Sequence, residues 1–230
     1  LQWVCQNINL GKDQLWEGLI EFPSIQFGVE IAFLSLQSKS LFELFPSEFT
    51  EGKKNMLING LVWMGEEQFM KTQIEEKLAQ GFSCIKLKIG AIDFEKELGL
   101  LQFIRQNFDA KTIEIRVDAN GAFNSNEALS KLNQLNEFEL HSIEQPIRAN
   151  QVQEMKLLCQ QTPFPIALDE ELIGVFGIEK KRKLLEEIQP QYIILKPSLV
   201  GGFKGTLEWI AIAESLNIGW WITSALESNI

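Results

Sequence analysis

Ile113-Glu114-Ile115-Arg116-Val117-Asp118-Ala119-Asn120-Gly121 is the stretch that decides the fold of this chain. Isoleucine and valine alternate with charged residues, which places Glu114, Arg116 and Asp118 on one face of a strand and the apolar residues on the other. The strand ends on a carboxylate, an amide and a glycine turn. Because buried charge is costly unless it is paired or binds a metal, this face indicates a functional site rather than packing alone.

The chain repeats this arrangement at a steady spacing from about residue 56 onward. Strands are predicted at 56–64, 82–89, 113–118, 140–144, 166–169, 192–196 and 218–223. Helices are predicted between them, at 66–80, 93–107, 125–136, 151–161, 178–188 and 206–216. Strands that alternate with helices predict a parallel sheet, either a closed barrel or an open doubly wound sheet.

The charged residues at the strand ends favour the barrel. Lys88, Asp118, Glu144, Asp169 and Lys196 are 30, 26, 25 and 27 residues apart by subtraction, and one unit of a (β/α)8 barrel averages roughly 31 residues. No Gly-x-Gly-x-x-Gly motif follows the first strands, which counts against a dinucleotide-binding sheet. We therefore predict an α/β fold, a TIM-like (β/α) barrel whose eighth strand is missing from this sequence.

Composition excludes several classes of partner and site. The chain has 230 residues and a formal net charge of −10, which argues against a nucleic-acid or anionic-membrane partner. No apolar run approaches the roughly 18 residues that a transmembrane helix needs. Three widely spaced cysteines indicate reduced thiols in a cytoplasmic protein, and the single histidine excludes a metal site with two histidines.

In a (β/α) barrel the C-terminal ends of the strands form the functional face. Alternation along the strands places one set of charged side chains in the barrel interior: Lys86, Lys88, Asp118, Glu144, Asp169 and Lys196. Three converging carboxylates repel one another, and a divalent cation relieves the repulsion. An all-oxygen set suits Mg²⁺, or Mn²⁺, best. The alternative is an internal network of salt bridges between these acids and the lysines.

A lysine near such a cation can act as a base. A bound cation and other ammonium groups lower the pKa of a lysine, towards roughly 7–8 in catalytic sites. A metal that holds a substrate carboxylate, with a lysine base beside it, is equipped to remove the proton alpha to that carboxylate and to stabilise the resulting enediolate.

Five motifs occur in order along the chain: Lys86-Leu87-Lys88, Asp118-Ala119-Asn120-Gly121, Glu144-Gln145-Pro146, Asp169-Glu170 and Lys196-Pro197. Together they resemble the enolase superfamily and, within it, the muconate-lactonizing subgroup. Three longer stretches, at 59–65, 167–174 and 221–229, resemble the o-succinylbenzoate synthase family of menaquinone biosynthesis.

The resemblance implies a role for each matched residue. Asp118, Glu144 and Asp169 would bind Mg²⁺. Lys88 would remove the alpha proton and then help the hydroxyl group to leave as water. Lys86 would lower the pKa of Lys88 and hold a substrate carboxylate oxygen.

Further residues are implied on the other side of the site. Lys196 would stabilise the enediolate from the opposite face, by a cation–π contact with the substrate ring. Asn120, Ser198, Gly201 and Ser224 are weaker candidates for substrate contact.

The resemblance also implies a division into domains. Residues 1–50 would be the C-terminal part of an N-terminal α+β capping domain with its linker, and residues 51–230 a partial barrel. Within 1–50 we expect a strand and polar turn between Trp3 and Phe22, then a helix at 24–44 with Phe27, Ile31 and Leu34 on its apolar stripe. The chain lacks an initiator methionine and an eighth strand, so we expect it to be a piece of a longer protein.

The implied function is the dehydration of 2-succinyl-6-hydroxy-2,4-cyclohexadiene-1-carboxylate to o-succinylbenzoate. The alternatives are N-succinylamino acid racemisation or dipeptide epimerisation, in which Lys88 and Lys196 exchange a proton from opposite faces, and a non-catalytic scaffold. The expected partner is a small carboxylate substrate, with the oligomeric state open. A separate stretch at 201–205 reads as a βα loop, with a phosphate cradle at a helix start as the alternative.

Overall fold

The computed structural model describes residues 1–39 and 43–227 of the chain. The chain divides into two compact units. The first unit comprises Leu1–Leu57, Leu172–Lys183 and Ile194–Ile230, and the second comprises Ile58–Glu171 and Leu184–Ile193.

The described residues contain seven strands. They are β1 (Gly60–Val62), β2 (Cys84–Lys88), β3 (Glu114–Asp118), β4 (Ser142–Glu144), β5 (Ile166–Leu168), β6 (Tyr192–Leu195) and β7 (Gly219–Ile222). They follow one another in the sheet in chain order, and each pair from β1–β2 to β5–β6 is parallel. The predicted parallel sheet is confirmed. Its sequential order is that of successive β/α units, whereas a doubly wound sheet reverses its order part-way.

Ten helices lie in the described residues, three before β1 and seven between the strands. They are α1 (Gln2–Gln6), α2 (Lys12–Gly18), α3 (Pro23–Gln37), α4 (Glu67–Ala79), α5 (Phe94–Asn107), α6 (Ser125–Leu135), α7 (Val152–Gln161), α8 (Ile178–Ile188), α9 (Pro197–Val200) and α10 (Gly202–Ser215). Short 3-10 turns lie at Ile8–Leu10, Asn136–Phe138 and Glu170–Leu172. The six predicted connecting helices are present, and α5 begins where the Asp93 side chain accepts a hydrogen bond from Glu95 N at 3.1 Å.

Alternation along β2 and β3 builds the core and the site together. Ile85, Leu87, Ile115 and Val117 are fully buried. The lysines and acids between them point to the other face of the sheet. The predicted division of these two strands into an apolar and a charged face is confirmed.

The N-terminal region differs from the prediction. The expected strand between Trp3 and Phe22 is wrong, because this segment forms α1, a 3-10 turn and α2. Leu15, Trp16 and Leu19 are buried, and their spacing of one, three and four residues matches one face of a helix rather than alternate faces of a strand.

Helix α3 is confirmed, but its buried face was predicted wrongly. It ends at Gln37, and residues 40–42 of the expected helix lie outside the described residues. Its buried residues are Gln26 and Glu30, whereas the expected apolar stripe is only half-buried. The first unit offers hydrogen-bond partners to this face, and burial follows those partners rather than hydropathy.

Within residues 1–39 and 43–227, none of the helices combines the length and the apolar character that crossing a membrane requires.

Candidate functional site

The register of the sheet places three charged residues side by side in the second unit. Lys88, Asp118 and Glu144 are the last residues of β2, β3 and β4, and they are direct partners across neighbouring strands. Side chains of partnered residues in parallel strands point to the same face. The sequence placed these residues at strand ends, and the sheet now brings them together.

Two lysines form ion pairs with the carboxylates. Lys86 Nζ lies 3.0 Å from Asp118 Oδ2 and also contacts Glu144. Lys88 Nζ lies 2.8 Å from the same Asp118 oxygen and donates to Asn120 Oδ1 at 2.7 Å. Asp118 and Glu144 are 0% and 3% exposed, so solvent screens these pairs weakly.

Asp169, the residue directly after β5, joins this cluster. Ala167 is the partner of Glu144 in the sheet, and Asp169 lies two residues further along the same face. Asp169 is buried, and a side-chain hydrogen bond links it with Glu144. The structure therefore gathers the three predicted metal ligands at neighbouring strand ends.

The carboxylates influence one another's ionisation. Burial, and next the charge of Asp118, raise the pKa of Glu144 to about 8. Burial also acts to raise the pKa of Asp118, but Lys86 and Lys88 outweigh it and hold that pKa below its ordinary value. The pKa values of two buried acids on adjacent strands thus shift in opposite directions.

The pKa of Lys86 shifts in the direction opposite to the one expected for a lysine of this site. Burial lowers the pKa of Lys86, but the facing carboxylates of Glu144 and Asp118 outweigh it and raise the pKa above its ordinary value. The sequence-based expectation assumed that a cation neutralises those carboxylates.

Part of the salt-bridge network that was the alternative interpretation is present, among Lys86, Lys88, Asp118 and Glu144. Among the described residues, no three histidine, cysteine, aspartate or glutamate side chains form a group arranged to hold a metal ion. The Lys86 ammonium instead pairs with two of the carboxylates. The magnesium site stays a prediction.

Asn120 is positioned by its backbone as well as by its side chain. Its φ of 43° lies in the left-handed region, which asparagine tolerates better than most residues. Its amide nitrogen donates to Glu170 Oε1 at 2.9 Å, while its oxygen accepts from Lys88. The sequence assigned no role to Glu170, although it belongs to a quoted motif.

The remaining predicted residues belong to the first unit. Ser198 and Ser224 both donate their hydroxyl hydrogen bonds to Glu227, the latter at 2.8 Å. Gly201 O accepts from Trp16 Nε1 at 3.0 Å. Glu227 was missed as a binding candidate, and its only signal was its place within the stretch 221–229.

Lys196 directly follows β6 and its carbonyl accepts from Leu199 N at 2.8 Å, at the start of α9. Its role stays a prediction.

The glycine-rich loop before α10 holds an internal anion. Glu30 accepts hydrogen bonds from Phe203 N at 2.6 Å and Lys204 N at 3.1 Å. Gly202 has a φ of 71°, and a side chain there would clash with the Glu30 carboxylate. A carboxylate from α3 thus occupies the helix start where the alternative interpretation placed a phosphate.

Three comparisons relate this chain to known proteins. A family model described as "Enolase C-terminal domain-like" matches residues 70–230. An o-succinylbenzoate synthase from Desulfotalea psychrophila is 56% identical over 209 residues, which cover 91% of this chain and 56% of that protein. The crystal structure of MenC from Desulfotalea psychrophila LSv54 matches with a TM-score of 0.84 and 55% identity, over 90% of this chain and 57% of that one.

A second relative has a different activity. The N-succinylamino acid racemase from Thermus thermophilus is 34% identical over 233 residues, which cover 96% of this chain and 60% of that protein. The chain therefore spans between 56% and 60% of the length of these two relatives.

Proposed function

The chain belongs to the enolase C-terminal domain-like family, and on that premise we propose that the whole protein is an o-succinylbenzoate synthase. It would dehydrate 2-succinyl-6-hydroxy-2,4-cyclohexadiene-1-carboxylate to o-succinylbenzoate, as a lyase of menaquinone biosynthesis. The observation that carries the proposal is the meeting of Lys86, Lys88, Asp118 and Glu144 at adjacent strand ends, in a chain 56% identical to a protein of that name.

The proposed architecture is that of a barrel with a cap. Residues 51–230 would form part of a TIM-like (β/α) barrel, and residues 1–50 the C-terminal part and linker of a capping domain. The sequential parallel strand order supports the barrel. The cytoplasm remains the predicted location.

Asp118, Glu144 and Asp169 would hold Mg²⁺, with Mn²⁺ as the alternative. The donor set fits, because all three offer oxygen, the ligand atom that these ions prefer. After burial, the charge of Asp118 is the next cause of the raised pKa of Glu144, so negative charges oppose one another at this place. A cation bound there would supply positive charge next to a substrate carboxylate as negative charge develops on it.

Lys88 is the proposed base. Its ammonium nitrogen is held by Asp118 and Asn120 at 2.8 and 2.7 Å, so its position on the site face is defined. In its neutral form Lys88 would take the proton alpha to the carboxylate. The same proton would then pass to the departing hydroxyl group, which leaves as water while the ring becomes aromatic.

Other residues would bind and orient the substrate. Lys86 would hold a carboxylate oxygen, and Lys196 would face the ring. Asn120, Ser198, Gly201 and Ser224 stay weaker candidates; the two serines share Glu227 as hydrogen-bond acceptor, which would fix the directions of both hydroxyls.

The racemisation of N-succinylamino acids is the second candidate. It would use the same cation and lysines, but no hydroxyl group would leave as water. Lys88 and Lys196 would each exchange one proton with the substrate. The 34% identity to the Thermus thermophilus racemase favours it as the alternative.

The deciding experiment is an assay of the full-length protein with the cyclohexadiene substrate, in which the absorbance of the aromatic product is followed. We expect turnover with Mg²⁺ and its loss in EDTA, with recovery when Mg²⁺ is added back. A parallel incubation in D₂O with each enantiomer of an N-succinylamino acid measures exchange of the alpha proton.

The outcomes separate the candidates. Aromatic product without deuterium exchange supports the synthase alone. Exchange from both enantiomers without aromatic product would replace it by the racemase. Absence of both reactions would contradict both activities.

A further inference from the structure

Gln145 is a buried amide directly after the proposed ligand Glu144. It is 0% exposed, and its side-chain oxygen accepts hydrogen bonds from the backbone N–H groups of Asp169 and Glu171, both at 3.2 Å. A single atom at the end of β4 therefore holds two amides of the segment that follows β5. Asp169 is the proposed ligand on that segment.

The amide nitrogen of Gln145 is used as fully as the oxygen. It donates to Ile147 O at 3.0 Å and to Glu171 Oε2 at 3.1 Å. The other oxygen of Glu171, a residue 5% exposed, accepts from Asn150 N at 2.9 Å. An ionised Glu171 can only accept hydrogen bonds, so the side chain at position 145, which faces it, must be a donor.

The backbone of Gln145 adds a further tie between the two strands. Its N–H donates to Ala167 O at 2.9 Å, and its φ of 39° lies in the left-handed region, which is uncommon for a residue with a long side chain. Such a conformation persists only where the surrounding structure over-determines it. Here the hydrogen bonds of the side chain and of the backbone do so together.

We propose that Gln145 is a positioning residue that holds Asp169 beside Glu144, so that the affinity of the three carboxylates for a divalent cation depends on the Gln145 amide. The inference rests on the proposed function, since it takes these carboxylates as the cation ligands. Groups that hold metal ligands in place change metal affinity by about 10–100-fold when they are removed.

The amide is required, and a carboxylate of the same shape cannot replace it. In Gln145→Glu the acceptor towards Asp169 N and Glu171 N remains. The other oxygen then faces Ile147 O and the Glu171 carboxylate, where donors are needed. Repulsion between two buried acceptors moves the segment that carries Asp169.

The test compares four full-length proteins: the wild type, Gln145→Glu, Gln145→Glu with Glu171→Gln, and Gln145→Met. The double variant returns a donor to position 171, where the amide of the new glutamine can reach the new carboxylate. Gln145→Met keeps the side-chain volume approximately but removes every side-chain hydrogen bond without adding charge, so it serves if Gln145→Glu does not fold.

Two readouts are measured well below each protein's melting temperature. Titration with Mn²⁺, followed by electron paramagnetic resonance, should give about 10-fold or greater weakening in Gln145→Glu and Gln145→Met, and partial recovery in the double variant. Amide hydrogen exchange in EDTA should be faster at Asp169 and Glu171 in Gln145→Met, while Asp118 N, within β3, is unchanged.

Each outcome bears on the inference. Unchanged Mn²⁺ affinity in the single variants, with a lower melting temperature alone, would overturn it and leave Gln145 as a structural residue. Weakening without recovery in the double variant would overturn the donor requirement. Wild-type protein that does not bind Mn²⁺ would overturn the proposed cation site, whereas failure of only the variants' predicted weakening leaves that site intact.

Discussion

Buried carboxylates in the two units have different hydrogen-bond partners, backbone N–H groups in the first unit and lysine side chains in the second. In the first unit, Glu30 is 5% exposed and accepts from the backbone N–H groups of Phe203 and Lys204. In the second unit, Asp118 and Glu144 are similarly buried but face lysine ammonium groups. The backbone donors are fixed at a helix start, whereas an ammonium on a four-carbon stem can move to another anion.

The difference in partners corresponds to a difference in role, structural for Glu30 and chemical for the carboxylates on β3 and β4. Glu30 compensates the unpaired N–H groups and the positive end of α10, which is a permanent structural need. The carboxylates on β3 and β4 compete for the same lysine, and their pKa values move in opposite directions. Groups whose environments push their pKa values apart are typical of sites that exchange protons or ions.

Removal of the proposed base should have the largest effect. We expect Lys88→Ala to lower kcat for the cyclohexadiene substrate by roughly 10²–10⁴-fold, because positioned proton transfer supplies a contribution of that size. The matched control is Lys183→Ala, which removes a lysine of α8 that lies outside the proposed site. Activity of Lys88→Ala equal to that of the control would contradict the assigned role.

Replacing one buried acid in each unit by its amide tests whether the kind of partner distinguishes the two. Asp118→Asn should weaken Mn²⁺ binding by at least about 10-fold, since it removes a charged oxygen ligand, and Glu30→Gln should leave the affinity unchanged. Isothermal titration of both variants measures this. Equal weakening by the two substitutions would mean that burial, and not the kind of partner, distinguishes these acids.

Glu30→Gln should instead reduce stability. The substitution removes a charge from the start of α10 and places an amide near two N–H donors, so the free energy of unfolding should fall by about 1–2 kcal/mol. Urea denaturation measures the change, with Glu17→Gln on the exposed face of α2 as control. A midpoint that does not move would show that the capping contacts contribute little.

The smallest effect concerns another buried acid, Glu97, near the loop after β2. Glu97 accepts from Gly90 N at 2.6 Å, and its Oε2 has no hydrogen-bond partner among the described residues. Burial raises the pKa of Glu97 above its ordinary 4.5, although the backbone hydrogen bonds act against it. Folded protein therefore releases this proton at a higher pH than unfolded protein, and the free energy of unfolding falls as pH rises between those two pKa values.

Glu97→Gln removes this titration. We expect its melting temperature relative to the wild type to increase as pH rises from the ordinary pKa of a glutamic acid towards the raised pKa of Glu97. Scanning calorimetry at several pH values gives the difference, and Glu95→Gln on the exposed side of α5 is the control. If the melting temperature of Glu97→Gln relative to the wild type decreased as pH rises, the raised pKa of Glu97 would be contradicted.

The predictions from sequence succeeded where local pattern and burial agree. The parity of β2 and β3 placed Lys86, Lys88 and Asp118 on one face, because alternation is a property of any extended strand. The helix that was predicted as a strand near Trp16 shows the limit. The spacing of its buried residues Leu15, Trp16 and Leu19 matches a helix, but packing within the first unit decides which residues of the segment are buried.

The sequence predicted which strand-end residues would lie together, but it did not predict how they would be connected. The order of motifs identified the strand-end acids and lysines, and the three acids do gather at adjacent strands. Their pairing with the lysines, and the direction of the pKa of Lys86, depend on distances of a few ångströms between strands that are far apart in sequence. Coulomb energies change steeply over such distances.

By itself, the sequence determined the alternation of strands and helices, the parallel sheet and the charged residues that end the strands, since these follow from periodicity and side-chain chemistry. Only the tertiary structure decided that Gln145 joins the segments after β4 and β5, and that Glu30 occupies the start of α10. Both are polar side chains that bond to backbone groups distant in the chain. Such bonds require the fold to form first, because no local pattern specifies the partner.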